Sequence, residues 1–309
     1  MSKWTPRQMP PQQGRLAIVT GANSGIGYQT ARYLSRVGAT VILACRNPQK
    51  GEAARAKIVL DNPAAKVEVR VLDVADLDSV RRFATEFLSE NRPLDLLINN
   101  AGVMAIPERR TTPQGFEMQF GTNHLGHFAL TGLLLPALLR QPNSRVVTVA
   151  SIAHKGGKLN FDDLNAERGY DPRGAYQQSK LANLVFGLEL DRRLRTRSAN
   201  TSSLIAHPGV AVTNIVSNGM GTGLKARVAS AVVSLFAQSD DRGAWPLLYA
   251  ATSPDAHGGG YYGPDGIAEV KGSPVEVKPK QHALDPAAGK KLWEISETLT
   301  GVRYDALNS

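Results

Sequence analysis

Thr20-Gly21-Ala22-Asn23-Ser24-Gly25-Ile26-Gly27 follows directly on the apolar run Leu16–Thr20. It leads into Ile26–Val37, which predicts a helix closed by Gly38. Glycine lets a backbone turn tightly and approach a ligand closely. A helix start offers unpaired N–H groups and partial positive charge, which together suit a pyrophosphate. The spacing is Gly-x3-Gly-x-Gly rather than the commoner Gly-x-Gly-x-x-Gly. Alone, such a turn is only a tight strand–helix joint. Placed between a first strand and a first helix, it predicts a dinucleotide cradle.

Outward from this turn, strand and helix patterns alternate. Thr40–Ala44 is a second apolar run, and Asn47 with Pro48 opens a helix to about Leu60. Val67, Val69 and Val71 alternate with Glu68 and Arg70, the pattern of a strand near the sheet edge. Leu94–Ile98 and Arg145–Ala150 are unbroken apolar runs and read as central strands. Helices are expected over Pro113–Arg140, Tyr176–Arg195 and Ala287–Thr300. The last has Asp285 as its cap, Pro286 in its first turn and Gly301 beyond it. Thr201–Ala206 and Gly260–Tyr262 complete the strands. The expected fold is α/β: a single doubly wound Rossmann-type domain, with a mostly parallel sheet of about seven strands and helices on both faces. It covers residues 15–309, behind a polar, proline-rich extension over 1–14.

A chain of 309 residues can bury a core without disulfides or metals. Its single cysteine, Cys45, rules out a disulfide framework and a cysteine-based metal site. The net charge is +9, but the basic residues are spread out. Their densest cluster, Arg192, Arg193, Arg195 and Arg197, falls near a predicted helix end, where cations suit the dipole. No nucleic-acid motif accompanies the charge, so no nucleic-acid partner is expected. No apolar run reaches the ~20 residues of a membrane span, and the polar start has no signal-peptide pattern. No transmembrane segment is expected, and a cytoplasmic location is.

The end of the second strand should meet the adenine ribose, where NAD enzymes place an acid. Here Ala44-Cys45-Arg46-Asn47 holds no acid, and Arg46 offers a fork of donors suited to a 2′-phosphate. The expected cofactor is therefore NADP(H), preferred over NAD(H).

Further motifs follow in order: Leu72-Asp73-Val74, Asn99-Asn100-Ala101-Gly102, Asn123, Ser151, Tyr176-x3-Lys180 and Pro208-Gly209. With the glycine turn, their joint order and spacing resemble the short-chain dehydrogenase/reductase family over nearly the whole chain. Leu43–Asn47, Thr122-Asn123-His124-Leu125-Gly126-His127-Phe128, Tyr249–Pro254 and Gly260–Pro264 resemble its retinol dehydrogenase-like branch. The resemblance implies an oxidoreductase interconverting a carbonyl (aldehyde or ketone) and an alcohol by hydride transfer. It also implies a homodimer or homotetramer, often pairing the two long helices around 113–140 and 176–195.

The residue chemistry agrees with a catalytic set of Asn123, Ser151, Tyr176 and Lys180. Tyr176 and Lys180 are one helical turn apart on one face. A phenol titrates near ~10, and a neighbouring ammonium together with a bound, positive nicotinamide ring should lower that value and fit Tyr176 for acid–base work. Ser151 follows a central strand and is placed to steady a developing oxyanion. Asn123 sits in a predicted helix interior, which disfavours asparagine. The resemblance gives it a water that links Lys180 to solvent. It gives Lys180 the nicotinamide ribose as well.

For the cofactor, the turn supplies Gly21, Asn23, Ser24, Gly25, Ile26 and Gly27, and Arg46 and Asn47 flank the adenine ribose. Asp73 and Val74 are implied at the adenine, with a helix N-cap as the alternative role for Asp73. Asn99, Ala101 and Gly102 are implied at the adenosine side, and Asn100 as a tie between strands. Pro208, Gly209, Val210 and Thr213 are implied around the nicotinamide. His124 and His127 have metal-ligand spacing but no third ligand nearby, so packing roles are expected and no metal site is. His154 reads equally as pocket lining or loop residue, and His207 as structural.

Leu224, Val228, Val232, Leu235 and Phe236 recur at helical spacing. This helix reads first as a lid over an apolar substrate, then as a subunit interface, then as a membrane-surface helix. The rival to an enzyme is a non-catalytic NADP(H) sensor on the same fold. Sensors often lose the tyrosine or lysine, and this chain keeps all four residues. Different chemistry at the same site, such as reduction of a carbon–carbon double bond, is a third reading.

Overall fold

The computed structural model describes residues 3–210 and 238–307. Thr213 and the 224–236 helix lie outside the described residues. Among the described residues, one sheet carries eight strands in the order β3-β2-β1-β4-β5-β6-β7-β8. They are β1 Leu16–Thr20, β2 Thr40–Cys45, β3 Lys66–Val71, β4 Leu96–Asn99, β5 Arg145–Val149, β6 Ser202–Ala206, β7 Tyr261–Pro264 and β8 Pro274–Glu276. β1 to β7 run parallel, and β8 pairs antiparallel to β7. The strand order reverses between β1 and β4, so a crevice opens at their carboxyl ends, the place where such sheets bind ligands.

The longer helices among the described residues cover the sheet: α1 Gly25–Arg36, α2 Pro48–Asp61, α3 Leu77–Ser89, α4 Gly126–Leu139, α5 Pro172–Thr196, α6 Asp240–Thr252 and α7 Pro286–Thr300. Alternation along β1 divides the core. Leu16 and Ile18 face the cluster holding Phe83, Phe128, Leu184 and Trp293, while Ala17 and Val19 face the one holding Leu34, Ile58 and Leu247. Each fully buried side chain of this kind stabilises the fold by about 1.5–3 kcal/mol. β3 is the edge strand its alternating pattern predicts, and its residues are half-buried or exposed.

Three features differ from the sequence reading. The eighth strand and α6 carry no pattern that predicts them. Only the part of Pro113–Arg140 from Met118 onward is helical, because Thr111 and Glu117 form a bridge across a turn. The polar extension is also packed: Met9 is in the core, Trp4 meets Tyr249 edge-on at 5.4 Å, and the Gln12 N–H donates to the Val37 carbonyl.

The outer side of α4 and α5, which the resemblance offers to a second subunit, is taken by the chain's own carboxyl end. Trp293 meets Phe128 at 5.2 Å and lies under the Arg193 guanidinium at 4.2 Å. The Tyr304 hydroxyl donates to the Phe128 carbonyl at 2.7 Å, and His124 Nε2 bonds Ser296 Oγ at 2.9 Å. The chain's own α7 and the residues after it thus cover part of the surface of these two helices.

Candidate active site

The glycine turn is built to be tight. Gly21 has φ 66°, and a Cβ on Gly27 would stand 2.5 Å from the Gly21 carbonyl oxygen. Thr20 Oγ1 accepts from the N–H groups of Asn100 and Ala101, each at 2.9 Å, and Asn100 Nδ2 donates to the Thr20 carbonyl at 2.8 Å. The β1 and β4 ends are thus locked together across the crevice, and Asn100 is the inter-strand tie the sequence suggests.

Ser24 precedes α1 yet makes no side-chain cap bond, so the first N–H groups of that helix stay open. A Cβ on Gly25 would meet nothing nearer than Asp240 Oδ2, at 3.9 Å. Open helix N–H groups beneath free space fit a diphosphate. Arg46 is exposed at the end of β2 and makes no ion pair among the described residues. Asn47, beside it, commits its side chain to capping α2, accepting from the Lys50 N–H at 2.8 Å.

The adenosine-side residues divide by what their side chains already hold. Asp73 Oδ1 accepts from Ala75 N–H at 3.0 Å. The alternative cap role falls to Asp76, which accepts from Asp78 N–H at 3.0 Å. Val74 is buried, and its carbonyl lies where a Cβ on Gly126 would collide. Asn99 turns its amide to Thr131 Oγ1 at 2.9 Å, inside the core, so its backbone is what it can offer a ligand. Ala101 and Gly102 follow at the β4 end. A Cβ on Gly102 would stand 3.0 Å from Asn123 Oδ1 and 3.6 Å from Lys180 Nζ, so this backbone borders the catalytic groups.

Asn123 is fully buried in a π-helical turn, Gly121–Leu125. The wide turn and the side chain's bonds explain how an asparagine sits inside a helical segment. Its Oδ1 accepts from Val103 N–H at 2.8 Å, and its Nδ2 donates to the Val103 carbonyl and to Ser179 Oγ, both at 2.9 Å. Single π-turns recur at functional sites. His127 bridges the Asn123 carbonyl and Thr20 Oγ1, each at 3.0 Å. Burial pushes His127 down to about 4 and His124 to about 3, so both imidazoles are neutral. They pack and hydrogen-bond, as expected of them. No grouping of metal-ligating residues occurs among the described residues.

Ser151 lies two residues beyond β5 and caps the turn Ile152–Gly156, its hydroxyl accepting from Ala153 N–H at 3.1 Å. Tyr176 and Lys180 share one face of α5, with Lys180 Nζ 5.9 Å from the Tyr176 ring centroid and 3.1 Å from the Val149 carbonyl. Burial raises the Tyr176 phenol above its ordinary value, and the neighbouring Ser151 hydroxyl offsets part of that rise. Burial also brings Lys180 down to about 8. Within the chain, with no nicotinamide ring beside it, burial therefore keeps the phenol protonated at neutral pH.

Pro208, Gly209 and Val210 follow β6. Gly209 N–H donates to His207 Nδ1 at 3.2 Å, and Val210 N–H donates to the Val270 carbonyl at 2.9 Å. His154 is buried, its Nδ1 donating to the Ser151 carbonyl at 2.7 Å, which fixes the serine turn. Sequence reading missed Thr20 and Ser179 as supports, and missed Glu269, which faces both Lys155 and His207. No local pattern marks Glu269, since its partners are distant in the chain.

The short chain dehydrogenase family profile matches residues 15–218. The chain belongs to the short chain dehydrogenase family. Retinol dehydrogenase 14 of Mus musculus is 41% identical over 302 residues, covering 94% of this chain and 86% of that protein. Polyprenol dehydrogenase of Homo sapiens is 38% identical over 299 residues, covering 95% and 87%. A solved structure of a protein from Mycobacterium Paratuberculosis superposes with TM-score 0.82 at 43% identity, covering 98% of this chain and 99% of that one. The chain is therefore a retinol dehydrogenase-like member of the family. Its fold and relatives support a nicotinamide dinucleotide cofactor and carbonyl–alcohol interconversion. No described helix is long and apolar enough to cross a membrane.

Proposed function

We propose that this short chain dehydrogenase is an NADP(H)-dependent oxidoreductase that interconverts an apolar aldehyde or ketone with its alcohol. The observation that carries the reading is a chain of neighbours past the carboxyl ends of β4 and β5: Asn123 and Lys180 border the Gly102 backbone, Lys180 lies beside the Tyr176 ring, and the Ser151 hydroxyl meets the Tyr176 phenol. The glycine turn from Gly21 to Gly27 would hold the cofactor's diphosphate on open helix N–H groups. Arg46 would hold a 2′-phosphate, Asp73 and Val74 would lie toward the adenine, and Pro208, Gly209 and Val210 toward the nicotinamide; Thr213, expected there too, lies outside the described residues. When bound, the nicotinamide supplies or accepts the hydride.

The chain's own groups manage the proton and the oxygen. Tyr176 is protonated at neutral pH, the form a general acid needs as a carbonyl oxygen becomes an alkoxide. The Ser151 hydroxyl donates to the same oxygen and stabilises its growing charge. Lys180, buried beside the Tyr176 ring, favours the phenolate left after transfer. Asn123, anchored on Val103 and Ser179, keeps a path by which that phenolate regains a proton. For an apolar substrate, the support is that the relatives carry the names retinol and polyprenol dehydrogenase.

A panel of aldehydes, ketones and alcohols with NADPH and NADP, graded from small polar to long apolar, tests this reading. Turnover concentrated on apolar members is expected. Tight NADPH binding without turnover across the panel would favour a sensor instead.

A further inference from the structure

Ala268 and Glu269 both adopt left-handed backbone, with φ 53° and 59°. Two such non-glycine residues in succession are strained, and persist only where their surroundings hold them. The Glu269 carboxylate is held on two sides. Its Oε1 lies 2.6 Å from Lys155 Nζ. Its Oε2 lies 3.1 Å from Nε2 of His207, which is fully buried. That second approach is off the line of a straight hydrogen bond, so it is an electrostatic contact. The His207 and Lys155 contacts hold the carboxyl at about 2, so it is ionised throughout the neutral range.

The two contacts reach different walls of the site. Lys155 belongs to the turn Ile152–Gly156 that follows Ser151, and His154 in that turn is bonded to the Ser151 carbonyl. His207 precedes Pro208 and accepts the Gly209 N–H on Nδ1, which leaves its proton on Nε2, facing Glu269. The adjoining Val270 carbonyl accepts from Val210 N–H. One carboxylate therefore spans from the serine turn to the Pro208–Val210 turn.

We propose that Glu269 is a positioning residue that fixes the spacing between the Ser151 turn and the Pro208–Val210 turn, and so shapes the nicotinamide half of the cofactor pocket. This rests on the hydride-transfer reading above. A carboxylate can present a negative oxygen to both partners at once. A glutamine cannot, because its amide N–H would face either the Lys155 ammonium or the His207 Nε2–H, donor against donor. Removing Lys155 as well frees the glutamine to turn its carbonyl to His207.

The test compares NADPH with 2′-phospho-ADP-ribose, which lacks only the nicotinamide; NADH against ADP-ribose is run in parallel. Glu269→Gln is expected to weaken NADPH binding roughly tenfold or more and to lower kcat, with 2′-phospho-ADP-ribose binding unchanged. Lys155→Met/Glu269→Gln is expected to recover part of the lost NADPH affinity. Lys155→Met alone, which severs one arm, is expected to lower kcat while leaving 2′-phospho-ADP-ribose binding intact. Equal weakening of both ligands, no change in either, or full kcat in Lys155→Met would overturn the proposal. Failure of the hydride-transfer reading shows differently, as absent turnover in the unsubstituted enzyme with normal NADPH binding.

Discussion

Lys180 Nζ lies 5.9 Å from the centre of the Tyr176 ring while donating to the Val149 carbonyl, buried on the inner face of α5. Holding an ammonium there is costly. Burial takes its pKa from 10.5 to about 8, so the unfolded chain binds more protons between those values. The contribution of Lys180 to stability is therefore most unfavourable below about 8, and this cost fades as pH climbs toward 10.5. The shift corresponds to a cost of roughly 3 kcal/mol at neutral pH. Lys180→Met keeps the stem's packing, and Val149 retains the Asn183 amide as donor at 3.0 Å. Urea unfolding at pH 7 should find this variant more stable by roughly 1–3 kcal/mol, and inactive. A less stable variant would contradict the buried cation's cost.

Arg46 stands exposed where β2 ends, with no carboxylate competing for it among the described residues. Arg46→Ala should weaken NADPH binding by roughly ten- to a hundredfold, the loss of one charge-assisted contact of about 1.5–3 kcal/mol. NADH binding should be nearly unchanged. Titration of both cofactors by nicotinamide fluorescence measures this, and equal losses would refute a 2′-phosphate contact.

The carboxyl-terminal docking carries a prediction for assembly. Because α7 and Tyr304 already cover α4 and α5, hydrogen exchange in these two helices should not depend on protein concentration. Protection that falls on dilution would show that these helices meet a second subunit.

Much of the fold was legible because its signals are local. The Gly21–Gly27 turn lies between an apolar run and a periodic helix, and Asp285, Pro286 and Gly301 mark both ends of α7; Gly301 takes φ 63°. The missed pieces break those local rules. α6 contains Gly243 and Pro246, which read as interruptions, although tertiary burial of Ala244, Leu247 and Leu248 sustains it. β8 is three residues beginning with proline, too short for a pattern, and exists because β7 offers it an edge. In the candidate site, the shared helix face of Tyr176 and Lys180 was legible from their spacing. Their pKa directions were not, because burial is a property of the whole packed chain. Glu269 was out of reach for a similar reason: its partner Lys155 lies 114 positions away.

The most direct test of the account is Tyr176→Phe, assayed with NADPH and the best carbonyl substrate of the unsubstituted enzyme. The substitution removes one oxygen and keeps the ring beside Lys180. The account predicts NADPH binding within a few-fold of normal and a kcat lower by about 10²–10⁴. It also predicts that in the unsubstituted enzyme alcohol oxidation rises with pH, because the protonated phenol must first ionise. Full activity in Tyr176→Phe, with the same dependence on pH, would contradict the claim that this phenol carries the proton.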